Sequence, residues 1–206
     1  MKAFWDQRYS QEGYAYGDTP NAYFKNTIRD LTPGKILLPA EGEGRNALYA
    51  SSLGWDVYAF DISGQGKQKA ESLARKHDVK IKYTIGDCGE ISYPGNTFDA
   101  IGLIYAHFEA LLISIYHRHL MEYLKPGGIL IFEAYSKNHT AYQHINPKAG
   151  GPGHADMLYD INMIKLDFPD VDFIALKEEE IMQQEGKYHS GKGMVIRFFG
   201  KKKQAS

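Results

Sequence analysis

A short group of glycines and acidic residues near the start of the chain has the spacing of a ligand-binding loop. An apolar run is followed there by Glu41-Gly42-Glu43-Gly44-Arg45-Asn46-Ala47, and a stretch with helical spacing comes next. Gly42 and Gly44 allow a sharp turn and a close approach of the backbone to a ligand, and the start of a helix presents free N–H groups. Gly-x-Gly-x-x-Ala alone fits an ordinary turn as well as a site. Between a strand and a helix it indicates a nucleotide site.

Acidic residues stand at two further points where apolar runs end. Asp61 follows the run 56–60, and its carboxylate can accept two hydrogen bonds from a ribose diol. Gly86-Asp87-Cys88 follows the run 79–85, where a carboxylate beside backbone N–H groups can recognise an adenine edge. The alternatives are that Asp61 only begins a helix and that Asp87 is an ordinary polar residue at a strand end.

Aromatic residues and histidines follow the later apolar runs and are candidates to face a reacting centre. Tyr105 and His107 follow the fourth run, Tyr135 follows the fifth, and His189 lies in a predicted glycine-flanked turn near the C-terminus. A structural role fits His107 equally well, and an exposed loop position is the alternative for His189. We take His107, Tyr135 and His189 as the catalytic candidates.

Composition and charge narrow the function classes. The 206 residues carry a formal net charge of −1 at pH 7, which provides no electrostatic attraction for nucleic acid or an anionic membrane. Cys88 is the only cysteine, which excludes an intrachain disulfide and a cysteine-based metal site and favours a reducing, cytoplasmic compartment. No apolar run approaches the roughly 18 residues of a membrane span. The basic tail 201–206 is expected to be a frayed, solvated end.

The histidines do not have the spacing of a metal site. His117 and His119 lie in a predicted helix, where positions two apart do not share a face. His139, His144 and His154 are spread through a segment that looks like a loop. We therefore expect no metal.

The elements that must position these residues alternate between strands and helices. Apolar runs predict strands over 35–39, 56–60, 79–85, 98–105 and 129–134. Helical spacing predicts helices over 20–31 (capped by Thr19), 45–53, 65–77 (capped by Ser63), 111–124 and 157–168. Residues 138–155 are expected to be a loop, and segments 172–185 and 192–200 to form a hairpin joined by 186–191. This order predicts an α/β fold with a doubly wound parallel sheet, whose ligands bind beyond the carboxyl ends of the strands.

Taken together, these segments resemble the class I S-adenosylmethionine-dependent methyltransferases. The resemblance rests on the order and spacing of LLPAEGEGRNALYASSLG, VYAFDIS, GDC, FDAIGLIY and LKPGGILIFEAY. Within that family, Gly44-Arg45-Asn46-Ala47 and the tail EGKYHSGKGMVIRFFGKK are similar to the tellurite-resistance group and, more loosely, to thiopurine methyltransferases. The resemblance covers the chain from about Trp5 to Lys203.

The resemblance implies a Rossmann-like sheet of seven strands, mostly parallel, that ends in an antiparallel C-terminal hairpin. It implies a single domain over 1–206, with a lid segment at 1–31, a cofactor-binding core at 35–136 and a substrate-side part at 137–203. The cofactor would be S-adenosyl-L-methionine and the partner a small-molecule methyl acceptor. The implied cofactor-binding residues are Tyr16, Glu41, Gly42, Gly44, Arg45, Asp61, Ile62, Asp87, Cys88 and Tyr105.

Two departures from the family pattern affect these assignments. The family usually has Asp-x-Gly-x-Gly after its first strand, whereas this chain has Pro39-Ala40-Glu41 before Gly42, so the role of Glu41 stays open. The tellurite group often has His-Arg in the tail hairpin, whereas His189 here precedes Ser190. The alternatives are an NAD(P)-dependent oxidoreductase and a non-catalytic protein that binds S-adenosylmethionine. The acceptor, the use of a general base and the oligomeric state are not determined.

Overall fold

One mixed sheet of seven strands organises the chain, and the computed structural model describes residues 1–204. The strands are β1 (Lys35–Pro39), β2 (Asp56–Asp61), β3 (Ile81–Ile85), β4 (Phe98–Ile104), β5 (Leu124–Tyr135), β6 (Val171–Glu185) and β7 (His189–Lys202). Their order is β3-β2-β1-β4-β5-β7-β6. The first five strands are parallel, and β7 pairs antiparallel with both β5 and β6. The strand order reverses between β1 and β4, where such folds bind ligands.

Helices cover both faces of the sheet. They are α1 (Lys2–Tyr9), α2 (Ala22–Ile28), α3 (Arg45–Ser52), α4 (Gly64–Lys76), α5 (Ile113–Tyr123), α6 (Thr140–Ile145) and α7 (Ile161–Asp167). Side chains alternate between the faces along a strand. Accordingly, Ile36 and Leu38 of β1 pack with the core under α2, α3 and α4, and Leu37 packs with the core under α5 and α7. No helix within residues 1–204 is both long and apolar enough to cross a membrane.

The predicted architecture is confirmed. The sheet has seven strands and is mostly parallel, with an antiparallel C-terminal end. β1 has the predicted bounds. Ser63 caps α4 as predicted, since its Oγ accepts the Gly66 N–H at 3.1 Å.

The predicted start of the second helix is wrong. Thr19 does not cap a helix from Pro20; α2 begins at Ala22, and the Asn21 side chain accepts the Phe24 N–H at 2.9 Å. Asn21 is buried because its amide also donates to Glu133 in β5. The contact with Glu133, which is distant in sequence, therefore explains why Asn21 rather than Thr19 caps the helix. The helix α1 was not predicted.

The last third differs most from the prediction. The expected loop 138–155 contains α6, and the helix expected from Met157 begins at Ile161, where the Asp160 side chain accepts the Met163 N–H at 2.9 Å. β6 and β7 extend further than predicted because they pair almost to the turn, so only residues 186–188 connect them. His189 is the first residue of β7, so its predicted place within the turn 186–191 is wrong. It is also buried, which rules out the alternative of an exposed loop position.

Two further boundaries differ from the sequence prediction. β5 begins at Leu124 rather than Ile129, because Leu124 pairs with Phe98 before a shift of register. The basic tail is ordered through Lys202, whose Nζ donates to the carbonyl oxygens of Met121 and Leu124. Residues 205 and 206 of the predicted frayed end lie outside the described residues.

Candidate active site

The loop after β1 has the backbone conformation that its glycines predict. Gly42 has φ 60° and Gly44 has φ 86°, in the left-handed region that favours glycine. A Cβ on Gly44 would lie 2.5 Å from the Cβ of Ala70 in α4, so only glycine lets α3 start this close to α4. The Gly42 N–H donates to Asp61 Oδ2 at 3.0 Å. The loop and the end of β2 are therefore in direct contact.

The carboxylate of Glu41 caps the N-terminal end of α3. Its Oε1 accepts the N–H groups of Asn46 at 2.8 Å and Ala47 at 2.7 Å. The side chain is buried, and this burial raises the pKa of Glu41 to about 7 despite these hydrogen bonds. The free N–H groups that the sequence analysis offered to a ligand are thus already occupied.

Asp61 and Asp87 lie beside each other at the same edge. Asp61 accepts the Ser63 N–H on Oδ1 at 2.9 Å, and its backbone oxygen accepts the Gly86 N–H at 3.0 Å. Burial raises the pKa of Asp61 to about 6, against the hydrogen bonds from Ser63 and Gly42. Asp87 is half-buried, and its Oδ1 accepts the Gly89 N–H at 2.7 Å. The ends of β1, β2 and β3 thus bring these predicted residues to one edge of the sheet.

The two remaining cofactor candidates at this edge differ in exposure. Ile62 follows Asp61 and is half-buried, whereas Cys88 is buried. Burial, with a smaller contribution from the charge of Asp87, raises the pKa of the Cys88 thiol. The thiol is therefore a packing group at neutral pH and not a nucleophile.

The N-terminal segment packs across this edge. A Cβ on Gly42 would lie 2.6 Å from the Tyr9 hydroxyl, so the Tyr9 ring rests on the loop. The Ala15 N–H donates to Glu43 Oε2 at 2.7 Å, and Arg45 donates to the Tyr16 carbonyl oxygen at 3.1 Å. Residues 9–16 therefore cover the loop.

Aromatic rings meet beyond the ends of β4 and β5. The His189 ring centroid lies 4.4 Å from that of Tyr16, 4.5 Å from Tyr105 and 5.4 Å from Tyr135. The Tyr135 hydroxyl donates to the Ala149 carbonyl oxygen at 2.9 Å and accepts from Gln183 Nε2 at 2.7 Å. Four predicted residues, Tyr16, Tyr105, Tyr135 and His189, thus form one cluster. Gln183 was not predicted.

His107 lies near this cluster, but backbone groups occupy both of its ring nitrogens. Nδ1 donates to the Met157 carbonyl oxygen at 2.9 Å, and Nε2 accepts the Tyr135 N–H at 3.2 Å. Burial lowers the pKa of His107 to about 4, so the ring is neutral at pH 7. Of the two roles considered for His107, this geometry favours the structural one.

Glu185 is the main site residue that the sequence analysis missed. Its Oε2 accepts from Arg45 Nη2 at 2.8 Å and from His189 Nδ1 at 3.3 Å, and its Oε1 accepts from Asn21 at 3.0 Å. These donors come from segments far apart in the chain, which is why no local motif marked Glu185. Its only sequence signal is its place beside Gly186 at the end of a predicted strand.

The sequence comparisons find a family match for the part of the chain that contains the loop after β1. Residues 36–128 match the methyltransferase domain family. The matched segment runs from β1 into β5 and contains Gly42, Gly44, Asp61, Asp87 and Tyr105. In the part of the chain that the structure describes, no group of three or more His, Cys, Asp or Glu side chains could hold a metal ion.

One curated relative shares part of the methyltransferase domain. It is the 2-methyl-6-phytyl-1,4-hydroquinone methyltransferase of Synechocystis sp., 28% identical over 88 residues. That alignment covers 43% of this chain and 27% of the relative. The chain therefore spans about a quarter of the length of the relative it matches.

Solved structures match nearly the whole fold. A structure described as the conversion of a disulfide bond into a thioacetal group during echinomycin biosynthesis has a TM-score of 0.77 at 15% identity, over 99% of this chain and 90% of that one. TehB from Haemophilus influenzae has a TM-score of 0.70 at 17% identity, over 98% and 67%. An S-adenosylmethionine-dependent methyltransferase from Methanosarcina mazei has a TM-score of 0.70 at 15% identity, over 91% and 100%. At such identities these matches show the Rossmann-like methyltransferase fold, and the tellurite or thiopurine subgroup stays a prediction.

Proposed function

We propose that this protein is an S-adenosylmethionine-dependent methyltransferase that acts on a small-molecule acceptor. The observation that carries the proposal is the carboxylate of Glu41, which occupies the N–H groups at the start of α3. The methyltransferase domain at residues 36–128 and the small-molecule methyltransferase from Synechocystis support it.

The position of Glu41 favours a methyltransferase over an NAD(P)-dependent oxidoreductase. A dinucleotide places its pyrophosphate on the free N–H groups of the helix after the first strand. Here those groups already bind a carboxylate, and Glu43 and Asp61 add two more acidic side chains nearby. An edge lined with carboxylates repels a phosphate and suits a ligand that presents positive charge and hydroxyl donors.

The residues at this edge fit S-adenosylmethionine. Asp61 accepts one backbone N–H on each carboxylate oxygen, which leaves a lone pair on each for a ribose diol. In the proposed assignment, Ile62 lies beside the ribose, Asp87 and Cys88 flank the adenine, and Tyr105 lies toward the reacting end. Glu41, Gly42, Gly44, Arg45 and Tyr16 surround the methionine end. When bound, the cofactor supplies a sulfonium methyl group that is already activated for displacement.

The chain's own task is then alignment and exclusion of water, which on the scale of effective molarities removes about 7–11 kcal/mol of barrier. The N-terminal segment covers the loop, as a lid over a reacting centre would. A covered site favours catalysis over the alternative of a non-catalytic binding protein. Among the catalytic candidates, the polar groups of His107 and Tyr135 are engaged internally, so we assign the acceptor side to His189.

Four further assignments belong to the same proposal. We propose one methyltransferase domain over residues 1–206 and a cytoplasmic location, since Cys88 is the only cysteine. A net charge of −1 supports a small molecule rather than a nucleic acid as the acceptor. The order of motifs and the tail EGKYHSGKGMVIRFFGKK support the tellurite-resistance and thiopurine group.

Calorimetric titration tests the cofactor assignment. We expect S-adenosylmethionine and its demethylated product to bind and NADH not to bind. Asp61→Ala should weaken cofactor binding by roughly 1.5–3 kcal/mol, the scale of a charged hydrogen bond. Asp30→Ala is the matched control, because Asp30 is exposed and lies on the loop after α2. Binding of NADH in place of S-adenosylmethionine would contradict the proposed function, and unaltered affinity in Asp61→Ala would remove Asp61 from the site.

A further inference from the structure

We infer that Glu185 is a positioning residue that holds His189 with its Nε2 toward the methyl acceptor. The inference rests on the proposed function and adds to it a residue that no motif marked. Glu185 and His189 are the last residues of β6 and the first of β7, and they pair across the three-residue turn 186–188. The turn therefore places a carboxylate and an imidazole side by side within the aromatic cluster.

The contacts of Glu185 determine which imidazole nitrogen carries the proton. Its carboxylate can only accept, so the 3.3 Å contact with His189 Nδ1 requires an N–H on Nδ1. Arg45 donates to the same oxygen at 2.8 Å, and its side chain is only 9% exposed. Asn21 donates to the other oxygen at 3.0 Å. Arg45 and Asn21 thus hold the Glu185 carboxylate in place, and that carboxylate in turn orients the His189 ring.

The other buried histidines do not offer a free nitrogen at this place. His107 and His139 each use both ring nitrogens, mostly on backbone groups: His139 Nε2 contacts the Gly150 oxygen at 3.1 Å and Nδ1 accepts from the Met194 N–H at 3.2 Å. His117 pairs with Asp167 and is enclosed between α5 and α7. His189 Nε2 makes no hydrogen bond to any residue between 1 and 204, and the side chain keeps 6% exposure.

The groups that face His189 come from five separate parts of the fold. They are Glu185 at the end of β6, Arg45 at the start of α3, Tyr16 in the N-terminal segment, and Tyr105 and Tyr135 after β4 and in β5. Burial lowers the pKa of His189 to about 4, while the hydrogen bond that His189 donates to Glu185 acts in the opposite direction. The imidazole is therefore neutral at pH 7, and the negative charge of Glu185 stabilises the protonated ring that would form during turnover.

This arrangement suits an acceptor whose nucleophilic atom carries a proton, such as a hydroxyl, a thiol or an N–H group. The acceptor would give that proton to His189 Nε2 while its lone pair forms the new bond to the methyl carbon. The electron pair of the broken carbon–sulfur bond stays on sulfur, and the proton then leaves the imidazolium for water. An anionic nucleophile would not need this base.

Nitrogen NMR on histidine-labelled protein tests the inference. In the wild-type chain at pH 7 we expect the His189 signal, assigned with His189→Gln, to show a protonated Nδ1 and an unprotonated Nε2. Glu185→Gln should shift that signal toward the opposite tautomer and lower the pKa of His189, because the ring loses a charged acceptor. Glu180→Gln is the control, since Glu180 is an exposed carboxylate on the same strand that pairs with Lys192.

Different results would contradict the role of Glu185 and the proposed methyltransferase function. A wild-type ring protonated on Nε2 would overturn the inference without any variant. So would a Glu185→Gln protein that unfolds cooperatively like the wild type and has an unchanged His189 signal. Failure of the wild-type chain to bind S-adenosylmethionine in the calorimeter would instead overturn the proposed function, because the tautomer of His189 is measured without cofactor.

Discussion

Buried carboxylates determine much of the chemistry at the loop after β1. Glu41 and Asp61 are both buried, and burial raises their pKa values to about 7 and about 6. Each accepts two backbone N–H groups, so each organises the loop as well as lining the edge. The same side chains thus hold the backbone of the loop and, in the proposed function, disfavour a phosphate there.

The raised pKa of Glu41 predicts a pH-dependent stability. A folded pKa of about 7 lies above the ordinary value of 4.5, so the folded chain binds this proton more tightly than the unfolded chain. The stabilisation is fully present below about pH 4.5 and is lost as the pH rises through 7, by about 3 kcal/mol. Glu41→Gln should remove this loss, which urea unfolding at pH 5 and pH 7 measures. Glu12→Gln, at an exposed position, is the control. Equal pH dependence in Glu41→Gln and the wild type would contradict the assignment.

Four of the seven α-helices within residues 1–204 begin with N–H groups that are bound by a side chain from outside the helix. Glu41 closes α3, Ser63 closes α4, and Asp160 closes α7. Asn21 does the same for α2 but also joins the buried Glu133 and the half-buried Glu185, donating to their carboxylates at 2.7 Å and 3.0 Å. The cap of α2 therefore also connects the N-terminal part of the chain to β5 and β6.

The position of this cap predicts a difference between two neighbouring substitutions. Asn21→Ala removes the cap and leaves two buried acceptors with one donor fewer, so we expect a loss of about 2–4 kcal/mol in the free energy of unfolding. Thr19→Ala changes an exposed residue and should cost less than about 0.5 kcal/mol. Urea unfolding of both variants provides the comparison. A loss in Thr19→Ala as large as in Asn21→Ala would mean that the helix begins at the position predicted from sequence.

The N-terminal segment meets the β6–β7 turn beyond the carboxyl edge of the sheet. The Lys187 N–H in the β6–β7 turn donates to the Ala15 oxygen at 2.9 Å, and the Tyr188 hydroxyl donates to Gln11 at 3.1 Å. Trp5 stacks on Tyr9, with ring centroids 5.3 Å apart, and Tyr9 in turn rests on Gly42. Because these contacts place the N-terminal segment over the loop, we expect that segment to move when a ligand binds there.

Tryptophan fluorescence should report that movement. Trp55 is the other tryptophan and precedes β2, at the opposite edge of the sheet, so Trp55→Phe leaves Trp5 as the single reporter. Because a ligand on the loop must displace Tyr9, S-adenosylmethionine should change the Trp5 emission, with the same concentration dependence as the calorimetric heat. Trp5→Phe should show no change. Constant Trp5 emission during measured binding would mean that the segment is not a lid.

Local features of the sequence were sufficient for the order of the elements and for one edge of the site. The apolar run of β1, the cap at Ser63 and the glycines at 42 and 44 act over a few residues, so their conformations follow from nearby residue types. Once parallel strands alternate with helices, their carboxyl ends must share an edge, and Asp61 and Asp87 lie there as predicted.

Three features follow from the tertiary structure alone: the residue that caps α2, the length of the β6–β7 hairpin, and the hydrogen bonding of each buried histidine. Asn21 and Arg45 meet Glu185 across most of the length of the chain, and His107 is engaged by backbone groups of Met157 and Tyr135. Such hydrogen bonds join residues that no sequence pattern relates. Because these polar groups are largely buried, leaving one of them without a partner would lower the stability of the fold. The type and spacing of residues therefore identify candidate site residues. Which of their lone pairs and protons stay free for a ligand depends on the distant groups that the fold packs against them.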